Sequence, residues 1–68
     1  MDTSELHSHH GPAILIVEDH RAVRQALREL MHVAFGAIEV LEAANVNDAL
    51  RTIEAHKVDV VLMDIKLP

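Results

Sequence analysis

Two apolar runs that do not alternate with polar residues constrain this chain more than anything else in it. Near one end stands Ala13-Ile14-Leu15-Ile16-Val17, and near the other Val58-Asp59-Val60-Val61-Leu62-Met63-Asp64. Both are short and rich in β-branched residues, and the first is bounded by Pro12 and by acids. Such runs are strands buried on both faces, and those belong in parallel sheets covered by helices on both sides. Each run also ends in acid: Glu18-Asp19 follows the first, and Asp64 closes the second.

Between the runs the pattern turns helical. From about Arg21 to Ala34, the residues Val23, Ala26, Leu27, Leu30, Met31 and Ala34 fall on one face, with Arg21, Arg24, Gln25, Arg28 and His32 on the other. Asp19 is expected to cap this helix, and Gly36 to stop it. The three arginines read as a solvated helix face rather than a partner patch. Residues 38–43 alternate only in part, as suits a half-exposed edge strand kept from aggregating by Glu39 and Glu42. Asn45 offers a cap for a second helix from about Val46 to His56, with Val46, Ala49, Leu50 and Ile53 inward, and His56 is expected to meet the free carbonyls at its end. The order is β-α-β-α-β, one half of a doubly wound α/β sheet with right-handed crossovers.

At 68 residues, this is one domain with a thin core, since a chain so short buries only about 60% of its unfolded surface. A net charge of -5, a single Phe and no Trp or Tyr argue against nucleic acid contact by this segment, which would need clustered cations and stacking faces. Without cysteine there is neither a disulfide nor a thiolate metal site. The apolar runs fall far short of the ~20 residues that cross a bilayer, so no membrane is expected. The polar, acidic start is unlike a secretory signal, which leaves a cytoplasmic protein as the expectation. Residues 1–12 carry no periodic pattern and read as a flexible leader; His7, His9 and His10 within it offer at most loose metal binding.

In doubly wound sheets, ligands gather at the carboxyl ends of the strands. If the first and third strands are neighbours, Glu18, Asp19 and Asp64 meet at one sheet edge. Three anions there repel unless a cation sits among them, and an all-oxygen set suits Mg²⁺. Asp64 could then attack a phosphorus atom and become an acyl phosphate. On pattern alone, a plainer account stays open, in which Glu18 and Asp19 merely begin a helix and Asp64 merely ends a strand.

Four segments together narrow the choice. Ile14-Leu15-Ile16-Val17-Glu18-Asp19-His20, Val23-Arg24, Leu41-Glu42-Ala43-Ala44-Asn45 and Asp59-Val60-Val61-Leu62-Met63-Asp64-Ile65-Lys66-Leu67-Pro68 resemble the receiver domain of bacterial two-component response regulators. The Glu-Asp-His turn and the Met-Asp-Ile-Lys-Leu-Pro ending look most like the subgroup with a C-terminal helix-turn-helix DNA-binding domain. The resemblance covers residues 13–68, as the N-terminal half of such a domain. It implies a flavodoxin-like sheet cut short to β-α-β-α-β, with strand order 2-1-3. It also implies that Asp64 is the phosphoacceptor, loaded by a sensor histidine kinase. Glu18, Asp19, Asp64 and the main-chain carbonyl of Lys66 would hold Mg²⁺. Val58 departs from a common proline and Val46 from a frequent glycine.

A full receiver continues beyond such a half, with a Ser or Thr at the end of its fourth strand and a Lys at the end of its fifth. Without them the third strand is open at its outer edge, and the isolated chain is expected to dimerise, aggregate or fold only in part. Two other readings remain: a half-domain that pairs with itself or with a receiver, and an aspartyl-phosphate hydrolase. The hydrolase needs a second carboxylate two residues after the nucleophile, where this chain has Lys66. A nucleotide site is weaker still, for no Gly-rich loop follows the first strand. The chain is therefore expected to accept a phosphoryl group and not to act as an enzyme.

Overall fold

The first apolar run becomes strand β1 (Ala13–Val17), the middle strand of a three-stranded parallel sheet in a computed structural model that describes residues 12–64. After it come α1 (Arg21–Phe35), β2 (Glu39–Ala43), α2 (Val46–Ala55) and β3 (Val60–Met63). The order across the sheet is β2-β1-β3, the 2-1-3 arrangement of a flavodoxin-like fold. On one side Ala13 to Val17 align with Glu39 to Ala43; on the other Ile14 to Val17 align with Val60 to Met63. The Asp59 carboxylate accepts a hydrogen bond from the Ala13 N–H at 2.8 Å, and the Asp59 N–H donates to the Ala13 carbonyl at 2.9 Å. That exchange pins the entry of β3 beside the entry of β1.

All five residues of β1 are buried, with Leu15, Ile16 and Val17 almost wholly withdrawn from water. Alternate side chains go to opposite faces, as strand geometry requires. Ile14 and Ile16 join Ile38 and Val40 under Leu27 and Met31 of α1. Leu15 and Val17 join Ala43 and Ala49 of α2, with Leu41 and Val58 against them. The sheet thus carries one helix on each face, and two small cores share β1.

Local chemistry sets most of the boundaries. Gly36 ends α1 at φ 65°, a left-handed value that suits glycine, and its N–H donates to the His32 carbonyl at 2.9 Å. The Asn45 side chain caps α2 by accepting the Asp48 N–H at 2.8 Å. At the far end of α2 the backbone N–H of His56, where an interaction of the residue with the last carbonyls was expected, donates to the Thr52 carbonyl at 2.9 Å.

Four expectations need correction. Asp19 does not cap α1: the cap position is His20, with no side-chain cap bond. The reason is that Glu18 folds back and takes the His20 N–H itself, at 2.9 Å. Arg24 is not a solvated residue, since its side chain is 18% exposed and bound at both ends of its guanidinium. The apolar stripes are mostly uncovered: Val23 and Leu30 of α1, and Val46, Leu50 and Ile53 of α2, are all exposed. Finally, the third strand begins at Val60 rather than Val58, because Val58 packs with the second core before pairing starts. Neither helix packs against β3, and all four of its residues are exposed, so among the described residues its outer edge and faces stand open. The leader through Gly11 and the segment 65–68, including the Lys66 carbonyl, lie outside the described residues.

Candidate functional site

The carboxyl end of β1 delivers Glu18 and Asp19 into the turn before α1. The Glu18 N–H still belongs to the sheet, donating to the Ala43 carbonyl at 3.0 Å. Its side chain is therefore held at the edge of the sheet and is buried, 5% exposed for the whole residue. Burying a carboxylate is costly unless it gains hydrogen bonds or a cation. Here it gains the His20 N–H at 2.9 Å and lies 3.2 Å from the His20 ring Nδ1. The same Nδ1 lies 3.1 Å from Asp19 Oδ1, which is half exposed. One ligand atom from each of Glu18, Asp19 and His20 lies within 4.8 Å of the others.

The charges in this turn hold each other in place. A hydrogen bond to the Glu18 carboxylate, followed by the charge of Asp19, raises the His20 pKa above the ordinary histidine value. A side-chain hydrogen bond with Glu18 lowers the Asp19 pKa; desolvation works against it, and the His20 charge lowers it further. The His20 shift reflects the two acids around its ring, and the Asp19 shift reflects its hydrogen bonding and the His20 charge. His20 is the member of this cluster that sequence reasoning gave no role; its place directly after the two acids was the available signal.

Asp64 reaches the site by another route. It follows β3 directly, and its N–H donates to the Val17 carbonyl at 3.4 Å. Since Val17 aligns with Met63, Asp64 stands one step past that pair, opposite Glu18. The parallel register therefore brings the ends of β1 and β3 side by side, with an acid on each. Asp64 is not part of the trio above, and its own side chain is half-buried.

An acidic turn at the end of β1, an aspartate at the end of the neighbouring β3 and a 2-1-3 sheet are the setting for the comparison with known proteins. The response regulator receiver domain family matches residues 14–68. The chain belongs to that family.

Among the curated relatives of this receiver segment, the uncharacterized transcriptional regulatory protein YhcZ of Bacillus subtilis is 44% identical over 55 residues. The response regulator UvrY of Escherichia coli K12 is 38% identical over the same length. A protein-glutamate methylesterase/protein-glutamine glutaminase of Rhodospirillum rubrum is also 38% identical. Each match takes in 81% of this chain, but only 26%, 25% and 15% of those relatives in turn. The chain thus spans about a quarter of the length of the response regulators it matches. No solved structure matches the chain significantly. No helix among the described residues is long and apolar enough to cross a membrane.

The site is braced from outside by Glu42 at the end of β2. Its Oε1 accepts from Arg24 Nε at 3.1 Å and its Oε2 from Arg28 Nη1 at 2.7 Å. The Arg28 bond, then that of Arg24, holds the Glu42 carboxyl below the ordinary glutamate value. A folded pKa below the unfolded one stabilises the fold at pH above the unfolded value, and the gain is lost as pH falls through the folded value. Urea midpoints measured across that acid window should fall more steeply for the natural chain than for Glu42→Gln. The difference should stay under about 1 kcal/mol, because the Arg28 partner is 45% exposed and water screens it.

Proposed function

We propose that this receiver segment is a phosphoacceptor of two-component signal transduction, with Asp64 as the group that takes the phosphate. The observation that carries this reading is the register Val17↔Met63, which sets Asp64 beside the buried Glu18. One Asp64 carboxylate oxygen attacks phosphorus as the bond from phosphorus to the donor breaks. The product is an acyl phosphate, and the donor group leaves with the bonding electrons. A sensor histidine kinase is the expected donor in the cell, and acetyl phosphate is the small-molecule equivalent.

The residues suit Mg²⁺. Glu18 supplies a buried carboxylate, Asp19 a half-exposed one and Asp64 a third from the next strand, all hard oxygen donors. The main-chain carbonyl of Lys66 is proposed as a further ligand. When bound, Mg²⁺ offsets the negative charge of the carboxylates and of the incoming phosphoryl oxygens. The protein's own part is to hold Glu18 within the sheet, to present Asp19 from the turn, and to bring Asp64 alongside.

This reading makes the chain an acceptor and not a hydrolase, since Lys66 stands where a hydrolytic acid–base carboxylate would be. Residues 13–68 act as the N-terminal half of a receiver, in the cytoplasm, after a leader at 1–12. The transcriptional role named for YhcZ is proposed to belong to an output domain linked to such a receiver. The test is incubation with acetyl phosphate in Mg²⁺ or in excess chelator, with the modified residue mapped by peptide mass spectrometry. Labelling of Asp64 in Mg²⁺ alone supports the reading; a folded sample with no labelling in Mg²⁺ sinks it.

The exposure of Val60, Val61, Leu62 and Met63 favours a second reading, a half-domain that pairs through β3 with itself or with another receiver. The guarded edge, β2, carries Glu39 and Glu42, whereas β3 carries no charge within its span. Assembly detected by sedimentation should then survive both Asp64→Asn and removal of Mg²⁺. A chain that sediments as a monomer, both alone and mixed with an intact receiver domain, rules this reading out.

A further inference from the structure

Arg24 joins three parts of the molecule. It lies in the first turn of α1, its Nε donates to Glu42 Oε1 on β2, and its Nη1 donates to the main-chain carbonyl of Glu18 at 2.8 Å. Arg28, one turn later, donates to the other oxygen of the same Glu42 carboxylate and is more than twice as exposed, 45% against 18%. The two arginines therefore share a partner, while the bond to the acidic turn is made by Arg24.

We infer that Arg24 is a positioning residue for the cation site: by holding the Glu18 carbonyl, it fixes the direction in which Asp19 leaves the turn. The inference rests on the reading of Glu18, Asp19 and Asp64 as a Mg²⁺ site. The Glu18 carbonyl belongs to the peptide unit that ends at the Asp19 nitrogen. That unit is planar and turns only as a whole. Anchoring its oxygen to a largely buried guanidinium stops it from turning and so sets the start of the Asp19 side chain. The Glu18 carboxylate is anchored separately, by the His20 N–H. Two ties on consecutive peptide units hold a turn that the helix cap leaves loose, since His20 makes no side-chain cap bond.

Charge alone predicts the opposite effect. A guanidinium close to a dication repels it, and removing that charge should tighten Mg²⁺ binding. Glu42 softens the repulsion by lying between the two arginines. If Arg24 acts through position, removing it weakens binding even though a positive charge has gone. The sign of the change therefore separates the two effects.

The experiment is calorimetric titration of the full chain with MgCl₂, comparing the natural sequence with Arg24→Gln, Arg24→Lys and Arg28→Gln, each checked for fold by circular dichroism. Arg24→Gln is expected to weaken Mg²⁺ binding about ten-fold, the usual scale for loss of a group that orients a ligand. Arg24→Lys keeps the charge but lacks the fork that reaches Glu42 and the carbonyl together, so it should weaken binding as well. It also serves if the Gln variant fails to fold. Arg28→Gln breaks the shared pair on Glu42 without touching the turn and should leave affinity unchanged or slightly higher. Unchanged or tighter binding in the folded Arg24 variants overturns the inference, as does an equal loss in Arg28→Gln. Failure of the natural chain to bind Mg²⁺ removes the site reading itself, and the Arg24 role with it.

Discussion

Asp64→Asn should reduce acetyl phosphate labelling of the folded chain to background. An amide oxygen is a far weaker nucleophile than a carboxylate, and the substitution also takes one anion from the proposed cation site. The shape is nearly unchanged. The bond that aligns the end of β3 with β1 runs from the main-chain N–H of residue 64 to the Val17 carbonyl, which asparagine keeps. Circular dichroism of the variant should therefore overlay that of the natural chain. Of the two other acids, Glu18 is a poor substitute acceptor because its side chain is 7% exposed and already holds the His20 N–H. Asp19 is half exposed and is the competitor to exclude. Label that persists in Asp64→Asn and maps to Asp19 would place the acceptor in the turn instead of on β3.

The second large effect falls on the fold itself. Leu15→Ala should cost about 2–5 kcal/mol, the range for a buried leucine cut back to its Cβ. Leu15 is wholly buried at the centre of the middle strand, packed with Val17, Ala43 and Ala49 and flanked by Leu41 and Val58. Small domains are stable by roughly 0.05–0.15 kcal/mol per residue, which is of the order of 3–10 kcal/mol for a chain this long. One truncation at Leu15 thus threatens most of the available stability. Val33→Ala is the matched control, because Val33 is apolar and 85% exposed on α1; its effect should stay within about 0.5 kcal/mol. Urea unfolding followed by circular dichroism distinguishes the two. Equal losses at both positions would mean that β1 is not the centre of the stability.

The narrowness of the core has a visible origin. Ile14 and Ile16 face one helix and Leu15 and Val17 the other, so a single five-residue strand supports both cores. Beyond it, β3 pairs with β1 but packs against neither helix, and Val23 and Leu30 of α1 and Val46, Leu50 and Ile53 of α2 stay exposed. Val23, Leu30, Leu50 and Ile53 look inward on a helical wheel, yet what a stripe covers depends on what lies opposite it. Periodicity states which residues share a face and is silent on whether that face meets a partner.

Much of the architecture was nevertheless legible residue by residue. Ala13–Val17 reads as a buried strand because five apolar residues in a row leave no polar face for water. Asn45 reads as a cap because a short side-chain oxygen can take a free N–H at a helix start, and Gly36 reads as a stop because a left-handed residue there suits glycine. That the strands ending near Glu18-Asp19 and Asp64 are neighbours was legible only as a consequence of topology. The capping role given to Asp19 failed for a local reason: Glu18, one residue earlier, reaches the same free N–H first.

The sequence by itself determined the elements, their order and the three acids at the strand ends, for each depends on residues close together in the chain. Only the tertiary structure decided which groups those acids meet. The register of β1 with β3 sets Asp64 opposite Glu18, across more than forty residues of chain. The approach of α1 to β2 turns Arg24 from a presumed surface charge into a tie between Glu42 and the acidic turn. Helical periodicity could not foresee that tie, because a carbonyl oxygen and a carboxylate on a neighbouring strand leave no mark on the helix that binds them.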